Sequence, residues 1–387
     1  MSSSDYGNWL RHSLSSIDDF FDVRWRGMKQ RMGWDGIPRI QPYIGFANDD
    51  LAWFHGRVLT SPPKDLPDED DNWWDNLLQT YQRFASDEVV GVEVEIDFAG
   101  QRHRVTTDDE GYFHLETANT PDVRRSHSWQ SIAMRIVGSP KVSPDESATF
   151  SKMLTPPKAA RFGIISDIDD TVLHTGITGL TAAARLTFLH NARTRKPLPG
   201  VAALYHALQQ GTSPGTSQRN PIFYVSSSPW NLFDLLEDFL DLNDIPPGPI
   251  LLRDLGFDRN KFLKEGHEHK LEKVLRIMSA FPELPFVLLG DSGQEDARLY
   301  AEAALQKPEQ ILMIFIRDVD PNETSRHDAR VQTSIEAAVS HGVSMHLIAD
   351  SRAAAEYAFS SGLIAPESLP KIEAATSADY RRPEPSI

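Results

Sequence analysis

No cysteine occurs among the 387 residues, which excludes disulfide bracing and metal sites built on thiolates. No apolar run approaches the ~20 residues that a membrane-spanning helix requires. The opening segment, MSSSDYGN, lacks the basic and apolar regions of a secretory leader. Basic residues are in short supply: 39 Lys and Arg stand against 55 Asp and Glu, a net charge of −16. That balance disfavours general binding to nucleic acid and gives no overall attraction to anionic membranes. The expectation is a soluble, cytoplasmic chain that touches membranes only peripherally. What is present suffices for real cores, since 40% of residues are hydrophobic. The length predicts two domains plus extensions.

The chain is organised around residues 161–173, RFGIISDIDDTVL. A short apolar run (Phe162, Gly163, Ile164, Ile165) leads through Ser166 into Asp167, Asp169, Asp170 and Thr171. Such a run bounded by turn-prone residues reads as a buried parallel strand, with the carboxylates at its C-terminal end. Open α/β sheets bind their ligands there. Buried charge costs several kcal/mol unless it is paired or holds a cation, so this cluster needs a chemical reason. A solvated turn is the simplest alternative for a bare D-x-D. An EF-hand loop needs Gly at its sixth position and Glu at its twelfth, where Val172 and Thr178 stand. An aspartic-protease D-T-G fails at Val172. Phosphoryl transfer through an aspartyl nucleophile survives, provided that a phosphate cradle, a cation and a metal carboxylate follow.

They follow in order. Residues 221–229, PIFYVSSSP, form an apolar strand ending in serines, whose hydroxyls and loop amides can hold phosphate oxygens. Lys270 heads an amphipathic stretch with Leu271, Val274, Leu275 and Met278. Residues 286–296, FVLLGDSGQED, put Asp291 directly after another buried strand and Asp296 five residues on. A solvated face explains any one of these pieces but not all four. Two other motifs lead nowhere: GDSG at 290–293 lacks the following Gly of a chymotrypsin-like nucleophile motif, and His267-Glu268-His269 lacks the i, i+4 spacing of helix-borne metal ligands.

These motifs resemble the haloacid dehalogenase (HAD) superfamily, whose first motif is DxDx[TV]. Within it the chain is most similar to the actin-patch-type phosphatidate phosphatases and their bacterial relatives. The resemblance rests on DIDDTV (167–172), VSSSPWNLF (225–233), residues 269–296 and IRDV (316–319), roughly the second half of the chain. It departs at 211–220, GTSPGTSQRN, which reads as an inserted surface loop. The resemblance implies a Mg²⁺-dependent phosphomonoester hydrolase that turns phosphatidate into diacylglycerol and phosphate. Asp167 would be the nucleophile and Asp169 the acid and base. Mg²⁺ would sit on Asp167, Asp291 and the backbone carbonyl of Asp169. Ser226, Ser227 and Lys270 would hold the phosphate, and Asp296 would support the loop or the metal's waters. A phosphoprotein phosphatase and a catalytically silent binding module are the alternative readings.

Elsewhere the patterning is structural. Leu10, Leu14, Ile17, Phe21, Trp25, Met28 and Met32 trace one stripe of an amphipathic helix over residues 1–36, read as packing on the next domain, with an interfacial membrane helix as the rival. Residues 37–138 alternate in short segments, which predicts a small β-sandwich-like domain. VTTDDEGYFHLE within it looks like a hairpin of transthyretin-like modules, and residues 72–85 read as a helical insert carrying Trp73 and Trp74. Residues 139–160 read as a connector. Residues 161–350 read as a HAD-like, doubly wound α/β domain with a parallel sheet. Its strands are expected near 162–166, 222–226, 249–252, 286–290, 311–316 and 344–348. Helices are expected near 179–193, 199–210, 230–241, 268–280 and 295–304. In 351–387 a helix to about Gly362 is expected, then a disordered tail.

Overall fold

The computed structural model describes residues 36–60, 88–119, 128–169, 171–172, 197–213, 219–253, 268–320 and 326–381. The readings made for residues 1–35, 72–85 and 179–193 lie outside them.

The first half forms one eight-stranded sheet. Its strands are β1 (Pro38–Pro42), β2 (Gly45–Ala47), β3 (Leu51–Thr60), β4 (Glu93–Phe98), β5 (Gln101–Thr106), β6 (Tyr112–Ala118), β7 (Trp129–Val137) and β8 (Thr149–Leu154). They run in the order β1-β3-β2-β8-β7-β4-β5, with β6 paired to β3. Alternation drives the burial: in β7, Ile132, Met134 and Ile136 face a core shared with Phe54, Val58, Val94, Ile96 and Met153. The β4–β5 hairpin closes through Ala99 (φ 53°) and Gly100 (φ 73°), the paired positive angles of a tight turn that follows strand twist.

Three expectations fail here. VTTDDEGYFHLE is not a hairpin, because β5 pairs with β4 while β6 pairs with β3. The reason is local: Asp108 accepts the amides of Glu110 and Tyr112, and the Gly111 carbonyl takes the amide of Val58, which turns the chain toward β3. IQPYIGF splits into β1 and β2. The stretch read as a connector contains β8, which fills the gap between β2 and β7; its proline and serine content masked a strand whose Ser151 and Met153 point inward.

The second half is a mixed α/β body around a six-stranded sheet. Its strands are β9 (Gly163–Asp167), β10 (Ile222–Pro229), β11 (Ile250–Arg253), β12 (Phe286–Asp291), β13 (Ile311–Arg317) and β14 (Met345–Ile348). The order is β11-β10-β9-β12-β13-β14, and every neighbouring pair is parallel. The helices are α1 (Val201–Gln210), α2 (Phe233–Leu242), α3 (Glu268–Ala280), α4 (Asp296–Gln306), α5 (Arg326–Ser340), α6 (Ser351–Ser360) and α7 (Ser368–Arg381). Successive strand residues feed opposite cores. Ile164, Tyr224, Val287 and Phe315 meet α1, α2, α6 and α7, whereas Ile165, Phe223, Leu288 and Ile314 meet α3, α4 and α5. Helices therefore cover both faces, and the strands read as continuous apolar runs because neither face is wet. Two helices differ from expectation. α5 has a readable stripe (Val331, Ser334, Ile335, Ala338) that sequence reading passed over. α7 replaces the expected disordered tail: Ile372 and Thr376 are buried, and Asp379 accepts the amide of Gly200. No helix among the described residues is long and apolar enough to cross a membrane.

An aromatic seam joins the two halves. Tyr43 stacks on Trp230 at 4.3 Å, and His55 stacks on the same indole at 4.7 Å. Phe46 meets Phe223 and Phe281, and the Asn48 side-chain amide donates to the Ala280 carbonyl. Burial above all, with repulsion from His114 and Arg276, pushes the His55 pKa down to about 3 from an ordinary 6.5. The unfolded chain therefore binds a proton between those values that the folded chain refuses. His55's neutral burial is free of penalty above pH 6.5 and costs up to about 1.4 kcal/mol per unit as pH falls below it. The fall in Tm between pH 7 and pH 5 should be shallower in His55→Phe than in the wild type. An equal or steeper fall would show that His55 titrates normally in the fold.

Candidate active site

β9 is buried along its whole length, so Asp167 is delivered to the sheet edge with 0% exposure. Parallel register sets Val225 beside Asp167 and Leu289 beside Ser166. Ser226, next after Val225 on β10, and Asp291, two residues past Leu289 at the end of β12, thus reach the same edge as Asp167 and Asp169. From β9 the chain order runs one way through β10 and β11 and the other way through β12, β13 and β14. The site lies at that reversal, outside the carboxyl ends of the strands, where open parallel sheets leave a crevice.

Lys270, in the first turn of α3, is 2% exposed. Its Nζ lies 2.7 Å from Asp167 Oδ1 and also bonds Asp296 Oδ1. Asp296 opens α4, where helix amides favour a carboxylate. Its Oδ2 accepts the backbone N–H of Asp291 at 3.2 Å. Gly290 makes this approach possible, since a Cβ there would fall 2.6 Å from Asp296 Cβ and 2.9 Å from the Tyr300 ring. Gly290→Ala should cost about 1–3 kcal/mol through overpacking and lower activity by displacing Asp296. A variant with wild-type Tm and turnover would show that the loop absorbs the methyl.

Asp169 is held from the opposite side. Ser226 Oγ donates to its Oδ2 at 2.9 Å and Ser228 Oγ to the same oxygen at 3.3 Å. The Ser228 amide in turn donates to Ser226 Oγ at 2.9 Å. Gln294 links the two acidic loops: its backbone N–H donates to Asp291 Oδ1 at 2.8 Å, and its side-chain amide reaches the Asp169 carbonyl at 3.4 Å. Beneath the site, Ser166 Oγ donates to the Asp167 carbonyl and lies 2.6 Å from the Tyr205 hydroxyl.

Six of the seven residues singled out from sequence come together through direct contacts or the Gln294 link: Asp167, Asp169, Ser226, Lys270, Asp291 and Asp296. Ser227 is half-buried beside its neighbours. Ser226, expected to face phosphate, spends its proton on Asp169 in this structure. Asp296 does support the loop through the Asp291 amide, and it is equally the second carboxylate on Lys270. Sequence reading missed Ser228 and Gln294. The third serine of the SSS run was a visible signal for the first. Gln294 stands out in the sequence only as the residue in place of the second Gly of a protease motif.

Burial above all pushes the Asp167 carboxyl well above the usual range. Lys270 pulls it back, and Asp296, Asp169 and Asp291 push it further up. Burial would lower the Lys270 pKa, but Asp167, Asp296 and Asp291 outweigh that and hold the ammonium above the ordinary lysine range. Three buried carboxyl groups, Asp167, Asp291 and Asp296, thus gather around the Lys270 ammonium. Oxygens of Asp167, Asp291 and Asp296 lie within 4.8 Å of one another. An all-oxygen, anionic, buried set of this kind fits a hard divalent cation such as Mg²⁺.

Three comparisons bear on the site. Residues 162–318 match the model of the phosphatidate phosphatase APP1 catalytic domain. The phosphatidate phosphatase APP1 of Saccharomyces cerevisiae is 35% identical over 177 residues, 45% of this chain and 29% of that protein. An uncharacterized protein of Schizosaccharomyces pombe is 28% identical over 280 residues, 71% of this chain and 42% of that one. The chain spans less than half the length of either relative. Among solved structures, a carbohydrate acetylesterase from Xanthomonas citri aligns with 88% of this chain and 74% of its own, at 8% identity. Its TM-score of 0.29 is too low to support any argument.

Proposed function

We propose, on the premise that residues 162–318 carry a catalytic domain of the phosphatidate phosphatase APP1 type, that this chain is a HAD-type, Mg²⁺-dependent phosphomonoester hydrolase acting on phosphatidate. The observation that carries the reading is the convergence of Asp167, Lys270, Asp296 and Asp291 with the serine-held Asp169 at one sheet edge.

In the first step Asp167 attacks phosphorus, and the bond to the glycerol oxygen breaks. Asp169 gives that oxygen its proton. Lys270 neutralises Asp167 in the free enzyme and the phosphoryl oxygens as the nucleophile is consumed. Ser226 and the Ser227 amide offer donors to those oxygens. In the second step Asp169, now a carboxylate, takes a proton from water, which attacks the aspartyl-phosphate and releases Asp167. A divalent cation on Asp167, Asp291 and the Asp169 carbonyl would supply Lewis-acid charge that lets an anionic nucleophile meet an anionic phosphate. Asp296 keeps Lys270 and the Asp291 loop oriented throughout.

Purified protein should release phosphate from phosphatidate in mixed micelles, lose that activity in EDTA and regain it on addition of Mg²⁺. Phosphopeptides and soluble sugar phosphates should be poorer substrates. Turnover unaffected by thorough chelation would remove the metal from the mechanism, and a preference for phosphopeptides would replace the substrate.

A further inference from the structure

Two hydroxyls converge on one oxygen of Asp169. Ser226 and Ser228 both donate to Oδ2, at 2.9 and 3.3 Å, and both side chains are buried. The Ser226 hydroxyl is also fixed from behind, because its oxygen accepts the Ser228 amide. Each hydroxyl has a single proton to give. If Ser226 turns its proton to a phosphoryl oxygen, as its strand-end position offers, it can no longer give it to Asp169. Ser228 is then the remaining hydroxyl among these contacts that keeps Asp169 in place.

We propose that Ser228 is the positioning residue for the proton-donating carboxyl, taking over from Ser226 when substrate binds. This rests on the reading of Asp169 as the acid. With Oδ2 occupied by hydroxyl donors, Oδ1 is the carboxyl oxygen left to face the leaving group. As the Asp167–phosphorus bond forms and the phosphorus–alkoxide bond breaks, the Asp169 carboxyl proton passes to the leaving oxygen. The products are an alcohol, the aspartyl-phosphate and the Asp169 carboxylate. The charge appearing on Asp169 is met by the Ser228 hydroxyl, and a donor to a developing carboxylate strengthens as the negative charge grows. Ser228 therefore acts through Asp169 and has no need to touch substrate.

The leaving group provides the test. A nitrophenolate departs without a proton, whereas an alkoxide needs one. kcat/KM reports only steps through the first irreversible one, so it isolates leaving-group departure from hydrolysis of the aspartyl-phosphate. We compare dioctanoyl phosphatidate with p-nitrophenyl phosphate for wild type, Asp169→Asn, Ser228→Ala, Ser228→Thr and Ser226→Ala. In Ser228→Ala the ratio of phosphatidate to nitrophenyl kcat/KM should fall about tenfold, the effect of losing one hydrogen bond to a charged group. Ser228→Thr should keep the wild-type ratio, and Ser226→Ala should depress both substrates through KM. An equal loss on both substrates in Ser228→Ala, or none, while Asp169→Asn remains selective, overturns the role of Ser228. Absence of selectivity in Asp169→Asn overturns Asp169 as the acid instead. Wild-type protein that hydrolyses neither ester overturns the phosphatase reading as a whole.

Discussion

Lys270→Met is expected to lower stability by about 3–5 kcal/mol and to reduce phosphatase activity at least ~10²-fold. Removing one partner of a buried ion pair leaves the other charge uncompensated, and here two carboxylates are stranded. Asp167 and Asp296 both bond the ammonium and are essentially unexposed. On the proposed mechanism, the lost charge also withdraws a donor from the phosphoryl oxygens. Stability and activity can be separated by adding Asp296→Asn, which removes one of the stranded charges. The double variant should recover part of the lost Tm without recovering turnover. Additive losses in that cycle would mean that Lys270 and Asp296 act independently, contrary to their direct contact.

Asp169→Asn is expected to slow turnover of phosphatidate by ~10²-fold or more while leaving Tm within a degree or two. Asn is nearly isosteric, and its carbonyl can still accept the Ser226 and Ser228 hydroxyls that now meet Oδ2. It cannot deliver a proton to an alkoxide or take one from water. Affinity for inorganic phosphate, measured by calorimetry with Mg²⁺ present, should survive. Wild-type turnover in this variant would remove Asp169 from proton transfer.

The candidate site was legible because each part ends a strand. The runs Phe162 to Ile165, Phe223 to Val225 and Val287 to Leu289 read as core strands, and the polar residues that close them (Asp167 after Ser166, Ser226, and Asp291 after Gly290) therefore stand at the edge. Parallel pairing then aligns the edges, so Asp167, Ser226 and Asp291 meet without any information beyond the pattern. Lys270 was legible as a cation at the head of an amphipathic helix. Ser228 and Gln294 were less so, because their roles depend on loop geometry that brings a third serine and a glutamine side chain back onto Asp169. The first half was legible in type and not in pairing. Alternation marks an inward face, yet it does not say which neighbour a strand takes, and β6 is sent to β3 by backbone contacts at Gly111. β8 was hidden by composition, and α7 by a tail whose buried residues, such as Ile372 and Thr376, are sparse among small and charged ones.

The central claim is that Asp167 carries the phosphoryl group. Enzyme turning over phosphatidate with Mg²⁺ is quenched in acid and reduced with borohydride, which converts an acyl phosphate to the alcohol, and the digest is sequenced by mass spectrometry. The account predicts homoserine at position 167, formed only when substrate was present and enriched in Asp169→Asn if that variant still forms the intermediate. Full turnover with an unmodified Asp167, or reduction at a different carboxylate, would contradict it.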